Sequence, residues 1–260
     1  MLTCLGCANS MLLHPTTGPT DAGGAERRVI AKDGREIEIF IARSPGAQNG
    51  AEAKAFVLEF CGNSTRAEYI APYVAGRWGD RPVEVWVMNY PGFGGTTGPA
   101  TLAAIAPASL AAYDEMARVA GDKPIVISGY SLGTCAALYV AAQKRADAMI
   151  LQNPPPLQRA IMQRHGWWNF GLLSGAFVAQ IPRELDSLES APKVKLPAVF
   201  VLAGKDQTVP PQFQQWVVDA YAGEKHLIRM PQAGHSTPIK GEFAEQFQKE
   251  LDWIWARMSR

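Results

Sequence analysis

Ser131 stands in Gly129-Tyr130-Ser131-Leu132-Gly133, between an apolar run (Ile125, Val126, Ile127) and a helix-forming stretch (Ala136, Ala137, Leu138, Val140, Ala141). A Gly-x-Ser-x-Gly between a strand and a helix makes a sharp turn that lifts the serine hydroxyl clear of the backbone. Side chains at Gly129 and Gly133 would strike the adjoining helix and strand. The helix begins beside the raised hydroxyl, so its first N–H groups and its dipole favour developing negative charge. Two glycines that only mark a tight turn would need no such change from strand to helix around them.

A serine is a poor nucleophile at neutral pH and needs a base. The elbow's partners follow it in the order Ser, Asp or Glu, His. Of the four histidines, His14 and His165 do not follow the late apolar runs, and His226 opens the last one, "KHLIRMP". His235, in "PQAGHSTP", sits in a glycine-bearing loop just after that run. Such a loop brings an imidazole to the end of a sheet, so His235 is the expected base. Asp206, in "VFVLAGKDQTVPP", directly follows another apolar run and is the expected acid that orients His235. Asp147 falls at a strand start and Asp219 in a helix.

A nucleophile of this kind also needs donors for the oxyanion. One is the backbone N–H of Leu132, the residue after the serine. The other is expected from "EFCGNS", where Gly62 lets the backbone turn and the N–H of Asn63 faces the substrate oxygen. Cys61 has no base evident beside it, and with Cys135 it reads as a small buried apolar residue. Cys4 and Cys7 make a lone C-x-x-C without the second pair of a zinc site. The chemistry needs neither metal nor organic cofactor, and none is expected.

Elements must place these residues. Apolar runs at 55–60, 83–88, 124–130, 147–153, 197–204 and 225–231 alternate with stretches able to form helices at 65–77, 108–120, 132–145, 211–222 and 241–258. That rhythm predicts a parallel sheet with helices on both faces. Before it, "RRVIAKDGREIEIFIARS" alternates around Asp33-Gly34 and predicts an antiparallel hairpin. Its Glu36 and Glu38 are expected on the outer side of a half-exposed edge strand. Residues 154–196, with Pro154-Pro155-Pro156 and "HGWWNFGLLSGAFV", break the rhythm and read as an insertion over one end of the sheet.

At 260 residues, one large α/β domain over 27–258 is expected, with 1–26 as a lead-in. Hydrophobic residues at 47% and charged ones at 19% suffice for a sizeable core. The net charge of +1, without a basic block, argues against a nucleic-acid partner, and none is expected. "PTTGPTDAGGA" reads as flexible. "LTCLGCANSMLLHP" resembles the end of a bacterial lipoprotein signal, with Leu5-Gly6 before Cys7. With an upstream signal the chain would be anchored to a membrane through Cys7; without one it would be cytoplasmic.

"EFCGNS", "NYPGFGGTTGPAT", "SGYSLGT", "LDSLESAPKVKLPAVFVLAGKDQTVPP" and "MPQAGH", in this order, resemble the small serine hydrolases of the α/β-hydrolase superfamily. The likeness covers roughly 27–258 and is nearest to the lid-poor subgroup that includes the mammalian protein depalmitoylases. It implies a mostly parallel eight-stranded sheet with an antiparallel edge strand and a small insertion after the sixth strand. It implies Ser131, Asp206 and His235 as a catalytic triad and an acyl-enzyme mechanism. The subgroup usually has histidine where this chain has Cys61, and often aspartate and arginine where it reads Asn89-Tyr90-Pro91-Gly92. "LLHPTTG" is similar to the lead-in of membrane-anchored members.

The expected substrate is a carboxylic ester or thioester. Trp167, Trp168 and Phe170, with Leu172, Leu173 and Phe177, would bind an acyl chain if they lie over the site, or pack the insertion on the sheet if they are core. Tyr90, Phe93 and Tyr130 are further candidates for the acyl pocket. A small-peptide peptidase is the rival enzyme, for which Glu184, Asp186 or Glu189 would hold a substrate amine. A non-catalytic binding protein on the same fold is the rival outside enzymology, and it predicts a broken triad.

Overall fold

The computed structural model describes residues 7–18, 20–48, 50–165 and 178–258. The expectations for Trp167, Trp168, Phe170, Leu172, Leu173 and Phe177, and for Cys4 to Gly6, lie outside the described residues.

An eight-stranded sheet is the framework. Its strands are β1 (Glu26–Lys32), β2 (Arg35–Arg43), β3 (Ala55–Phe60), β4 (Val83–Met88), β5 (Ile125–Tyr130), β6 (Ala148–Gln152), β7 (Ala198–Ala203) and β8 (Lys225–Met230). The order across the sheet is β1-β2-β4-β3-β5-β6-β7-β8. β1 and β2 are antiparallel, β2 meets β4 antiparallel, and the pairs from β4 through β8 are parallel. Every residue of β3, β4 and β7 is buried, as in a sheet covered on both faces, including Glu59 in β3 and Glu84 in β4.

Helices α1 (Cys7–Leu12), α2 (Ala67–Arg77), α3 (Leu102–Ala120), α4 (Leu132–Gln143), α5 (Leu157–His165), α6 (Ser187–Ser190), α7 (Pro211–Ala220) and α8 (Glu242–Met258) fill the connections. α3 begins already at Leu102, upstream of the expected 108, and carries Pro107 inside it. Its first turns bury Leu102, Ile105 and Ala106, and this packing outweighs the missing proline donor. In α8, Phe247, Leu251 and Ile254 are the buried stripe.

Two expectations change. The hairpin turns at Asp33 and Gly34, both with positive φ (50° and 74°), but the edge strand is β1; β2 lies inside the sheet against β4. Glu38 is therefore buried rather than outward. It accepts from Asn89 Nδ2 at 2.7 Å and from the Gly95 N–H at 2.8 Å, and pairs with Arg27 at 2.6 Å. The lead-in is also bound to the domain. Ala8 and Leu13 are buried, Asn9 Oδ1 accepts from the Leu102 N–H at 2.9 Å, and the Thr16 carbonyl accepts from the Gly94 N–H at 2.9 Å. The Gly18 carbonyl accepts from Arg66, and Thr20 donates to Glu68 at 2.9 Å. Proline and glycine set the local chain direction; the partners that tie it down lie far along the sequence.

Candidate active site

β5 ends at Tyr130 and α4 starts at Leu132, so Ser131 alone makes the turn, with φ 52° and ψ −121°. That is strained backbone for a residue with a side chain, and it aims the hydroxyl away from the sheet. The flanking glycines permit it. A Cβ on Gly133 would lie 2.0 Å from the Phe60 carbonyl oxygen, and one on Gly129 would lie 2.6 Å from the Gly133 oxygen. α4 can thus start directly against the ends of β3 and β5.

Ser131 Oγ lies 3.0 Å from His235 Nε2, and His235 Nδ1 lies 2.7 Å from Asp206 Oδ2. The Asp206 side chain is fully buried and that of His235 is 17% exposed. Asp206 Oδ1 accepts from the Thr208 and Val209 N–H groups at 2.8 Å each, and Oδ2 accepts from Gln214 Nε2 at 3.3 Å. A buried carboxylate held by this many donors stays fixed in orientation. An imidazole between such a carboxylate and a hydroxyl can take the hydroxyl proton at Nε2 while Nδ1 keeps its own.

The loop around His235 is held through its backbone. The His235 carbonyl accepts from the Tyr130 hydroxyl at 2.7 Å and from Asn153 Nδ2 at 2.9 Å. The Tyr130 ring also lies tilted on the imidazole, with centroids 5.2 Å apart. Asn153, at φ 51° and buried, accepts from the Ala203 N–H at 3.1 Å and so links the ends of β6 and β7 to the histidine loop. Gln214 receives the same N–H at 3.1 Å and donates to the Val209 carbonyl at 2.7 Å. Sequence reasoning passed over Asn153 and Gln214. For Gln214 a signal existed: it shares the buried stripe of α7 with Phe213, Val217 and Val218. A glutamine on an apolar stripe must have partners.

Leu132 is the first residue of α4, where helix N–H groups have no intrahelical acceptor. Asn63 and Leu132 both line a cavity of about 410 Å³ with Ser131. Leu12, Leu157, Ala160, Ile161, Val209 and Phe213 make most of its apolar wall. The insertion thus reaches the carboxyl ends of the strands, where open α/β sheets bind ligands.

Tyr90 and Phe93 do not line this cavity; each is 1% exposed and they meet edge to face at 5.9 Å. The Tyr90 hydroxyl donates to the Cys61 carbonyl at 2.9 Å, so this tyrosine props the Asn63 loop from behind. Tyr130 borders a different cavity, beside Glu59 and Arg77. Cys61 and Cys135 are free and buried; burial pushes the Cys61 thiol up and lifts that of Cys135 to about 12. Asp186 caps α6 by accepting from the Leu188 N–H at 3.0 Å, and Glu189 pairs with Arg183 at 3.0 Å. Neither they nor Glu184 line the cavity at Ser131. His226 bonds Glu250 at 2.6 Å, away from Ser131. Among the described residues no three His, Cys, Asp or Glu side chains gather as a metal site.

Sheet order, elbow and helix arrangement together define the α/β-hydrolase fold. A model of the alpha/beta hydrolase family matches residues 60–247, and the chain belongs to that family. Est1E from Butyrivibrio proteoclasticus has a similar structure, with a TM-score of 0.71 and 16% identity over 90% of this chain and 99% of its own. The Pyrococcus furiosus esterase Pf2001 gives 0.66 and 14% over 94% and 96%. The Pyrococcus horikoshii acylaminoacyl peptidase gives 0.64 and 14%, over 90% of this chain and 42% of its own. Two curated Mycobacterium tuberculosis proteins, from strains CDC 1551 / Oshkosh and H37Rv and both described as uncharacterized, are each 26% identical over 158 residues. The chain spans about half the length of these curated relatives, 54%.

Proposed function

We propose that this protein is a serine hydrolase that cleaves carboxylic esters or thioesters through an acyl-enzyme intermediate. The observation that carries the reading is the Ser131–His235–Asp206 chain of contacts, at 3.0 and 2.7 Å, opening on an apolar cavity. Ser131 Oγ attacks the carbonyl carbon while its proton passes to His235 Nε2. The oxyanion is held by the N–H groups of Leu132 and Asn63. Collapse breaks the C–O or C–S bond, and the leaving group takes the proton from His235. Water then attacks the acyl-enzyme, its proton goes to His235, and the acid departs as Ser131 regains its proton.

The esterases among the structural neighbours support hydrolysis as the reaction class. The resemblance of the ordered motifs to the depalmitoylase subgroup, and the apolar cavity, favour an acyl chain as the acid part. A peptidase reading has the acylaminoacyl peptidase as its neighbour, but Glu184, Asp186 and Glu189 are not placed to hold a substrate amine at Ser131.

Fluorophosphonate labelling and p-nitrophenyl ester hydrolysis test this reading. The wild-type chain is expected to be labelled and active, Ser131→Ala unlabelled and inactive, and His235→Ala strongly reduced in both. Equal labelling of all three proteins overturns it.

A further inference from the structure

We propose that the N-terminal strap, residues 8–18, is a built part of the active site: its backbone clamps the Asn63 side chain, and Leu12 forms a specificity-determining wall of the acyl cavity. The inference rests on the serine-hydrolase reading and deepens it.

Asn63 Nδ2 donates to the Leu12 carbonyl at 2.7 Å, and Asn63 Oδ1 accepts from the His14 N–H at 3.0 Å. Both faces of one carboxamide are thus bonded to backbone groups two residues apart. This two-point bond fixes the side chain and, through it, the direction of the same residue's backbone N–H. The proposed oxyanion donor therefore depends on a segment 49 to 51 positions earlier in the chain. The strap is itself anchored on either side of the clamp, by Asn9 to the start of α3 and by Thr16 to Gly94. Asn63 acts through its own backbone, so its carboxamide is a positioning group.

The same strap borders the substrate space. Leu12 and His14 line the cavity with Ser131, together with Leu157, Ala160 and Ile161 of α5. Leu12 is only partly buried, so its side chain has room to change size without breaking the core. A wall set by one leucine controls how long a linear acyl group fits. Discrimination of this kind is worth about 10- to 200-fold per methylene in an apolar pocket.

The test uses the full chain and p-nitrophenyl esters with acyl groups of increasing length. Asn63→Leu removes both bonds at similar volume; kcat on the shortest ester is expected to fall about 10- to 100-fold with KM nearly constant, since one oxyanion donor is worth about 100-fold or more. Asn63→Gln, which keeps a carboxamide donor and acceptor for the Leu12 carbonyl and the His14 N–H, is expected to recover part of the loss. Leu12→Trp is expected to shift the preferred acyl group to shorter chains and Leu12→Ala to longer ones. Folding of each variant is checked by circular dichroism. If Asn63→Leu does not fold, the chain-length shift at position 12 decides. Unchanged kcat in folded Asn63→Leu, or an unchanged chain-length profile in both Leu12 variants, overturns the inference. A wild-type chain that takes no fluorophosphonate and cleaves no ester instead overturns the serine-hydrolase reading beneath it.

Discussion

The Tyr130 hydroxyl donates to the His235 carbonyl at 2.7 Å, so the residue before the elbow serine holds the loop that carries its histidine. The bond crosses 105 positions of chain and ties the end of β5 to the loop after β8. Burial pushes the Tyr130 hydroxyl up from its usual range, which keeps it a donor. Tyr130→Phe removes this bond, while Asn153 keeps its own bond to the same carbonyl. Stability is expected to fall by about 1 kcal/mol, the net worth of one hydrogen bond. Ester turnover should fall severalfold, read as kcat and thermal midpoint side by side.

Asp206→Asn should preserve the fold and abolish most turnover. The asparagine keeps an oxygen for the Thr208 and Val209 N–H groups. It also presents an amide toward His235 Nδ1, which turns the imidazole to the wrong tautomer. A drop in kcat of roughly 10³- to 10⁴-fold is expected, as such a change gives in a serine triad. A loss below tenfold in steady-state kinetics would remove Asp206 from the mechanism.

Gln214→Leu tests the support beneath that carboxylate. It strips partners from the buried Ala203 and Val209 carbonyls and from Asp206 Oδ2 together. Unpaired buried acceptors cost about 1–3 kcal/mol each, so urea unfolding should show a loss of at least about 2 kcal/mol.

Asn89 is the neutral link between two buried carboxylates. Its Nδ2 donates to Glu38 at 2.7 Å and to Glu68 at 2.9 Å, and its Oδ1 accepts from the Ala67 N–H at 2.9 Å, at the start of α2. Burial opposes charge on Glu68, but bonds from Arg66, Asn89 and Thr20 hold its carboxyl below the usual range. Asn89→Asp would remove the donor and place a third negative charge there. A loss of about 3 kcal/mol at neutral pH is expected, smaller in acid as the new carboxyl protonates. Chemical denaturation at the two pH values measures it.

Glu59 gives a pH signature opposite in sense to that of the lowered Glu68 carboxyl. Burial lifts its carboxyl to about 7, with Ser128 and Arg77 pulling the other way. Between the ordinary 4.5 and about 7 the folded chain keeps a proton that the unfolded chain has released. Stability therefore falls as pH rises through that window, by at most about 3 kcal/mol. Glu59→Gln should flatten the slope in urea titrations; an unchanged slope would assign it to another group.

Much of the fold was legible because its signals are local. Short, mostly apolar runs such as "AFVLEF" and "VEVWVM" are what strands covered on both faces look like, each carrying one glutamate, and the interleaved helical stretches point to parallel crossovers. Ser131, Asp206 and His235 were legible as candidates for the same reason: each follows a strand end, and strand ends meet on one side of a parallel sheet. The sequence could not show that Glu38 turns inward, since alternation in β2 looks the same at an edge and beside β4. Nor could it show that Tyr90 is buried behind the Asn63 loop, or that residues 8–18 close over that loop. Those outcomes depend on hydrogen bonds and packing between residues far apart in the chain, such as Asn63 with Leu12 and Asn89 with Glu38. Periodicity along a sequence says which face a side chain takes; only the assembled sheet and its loops decide what waits there to meet it.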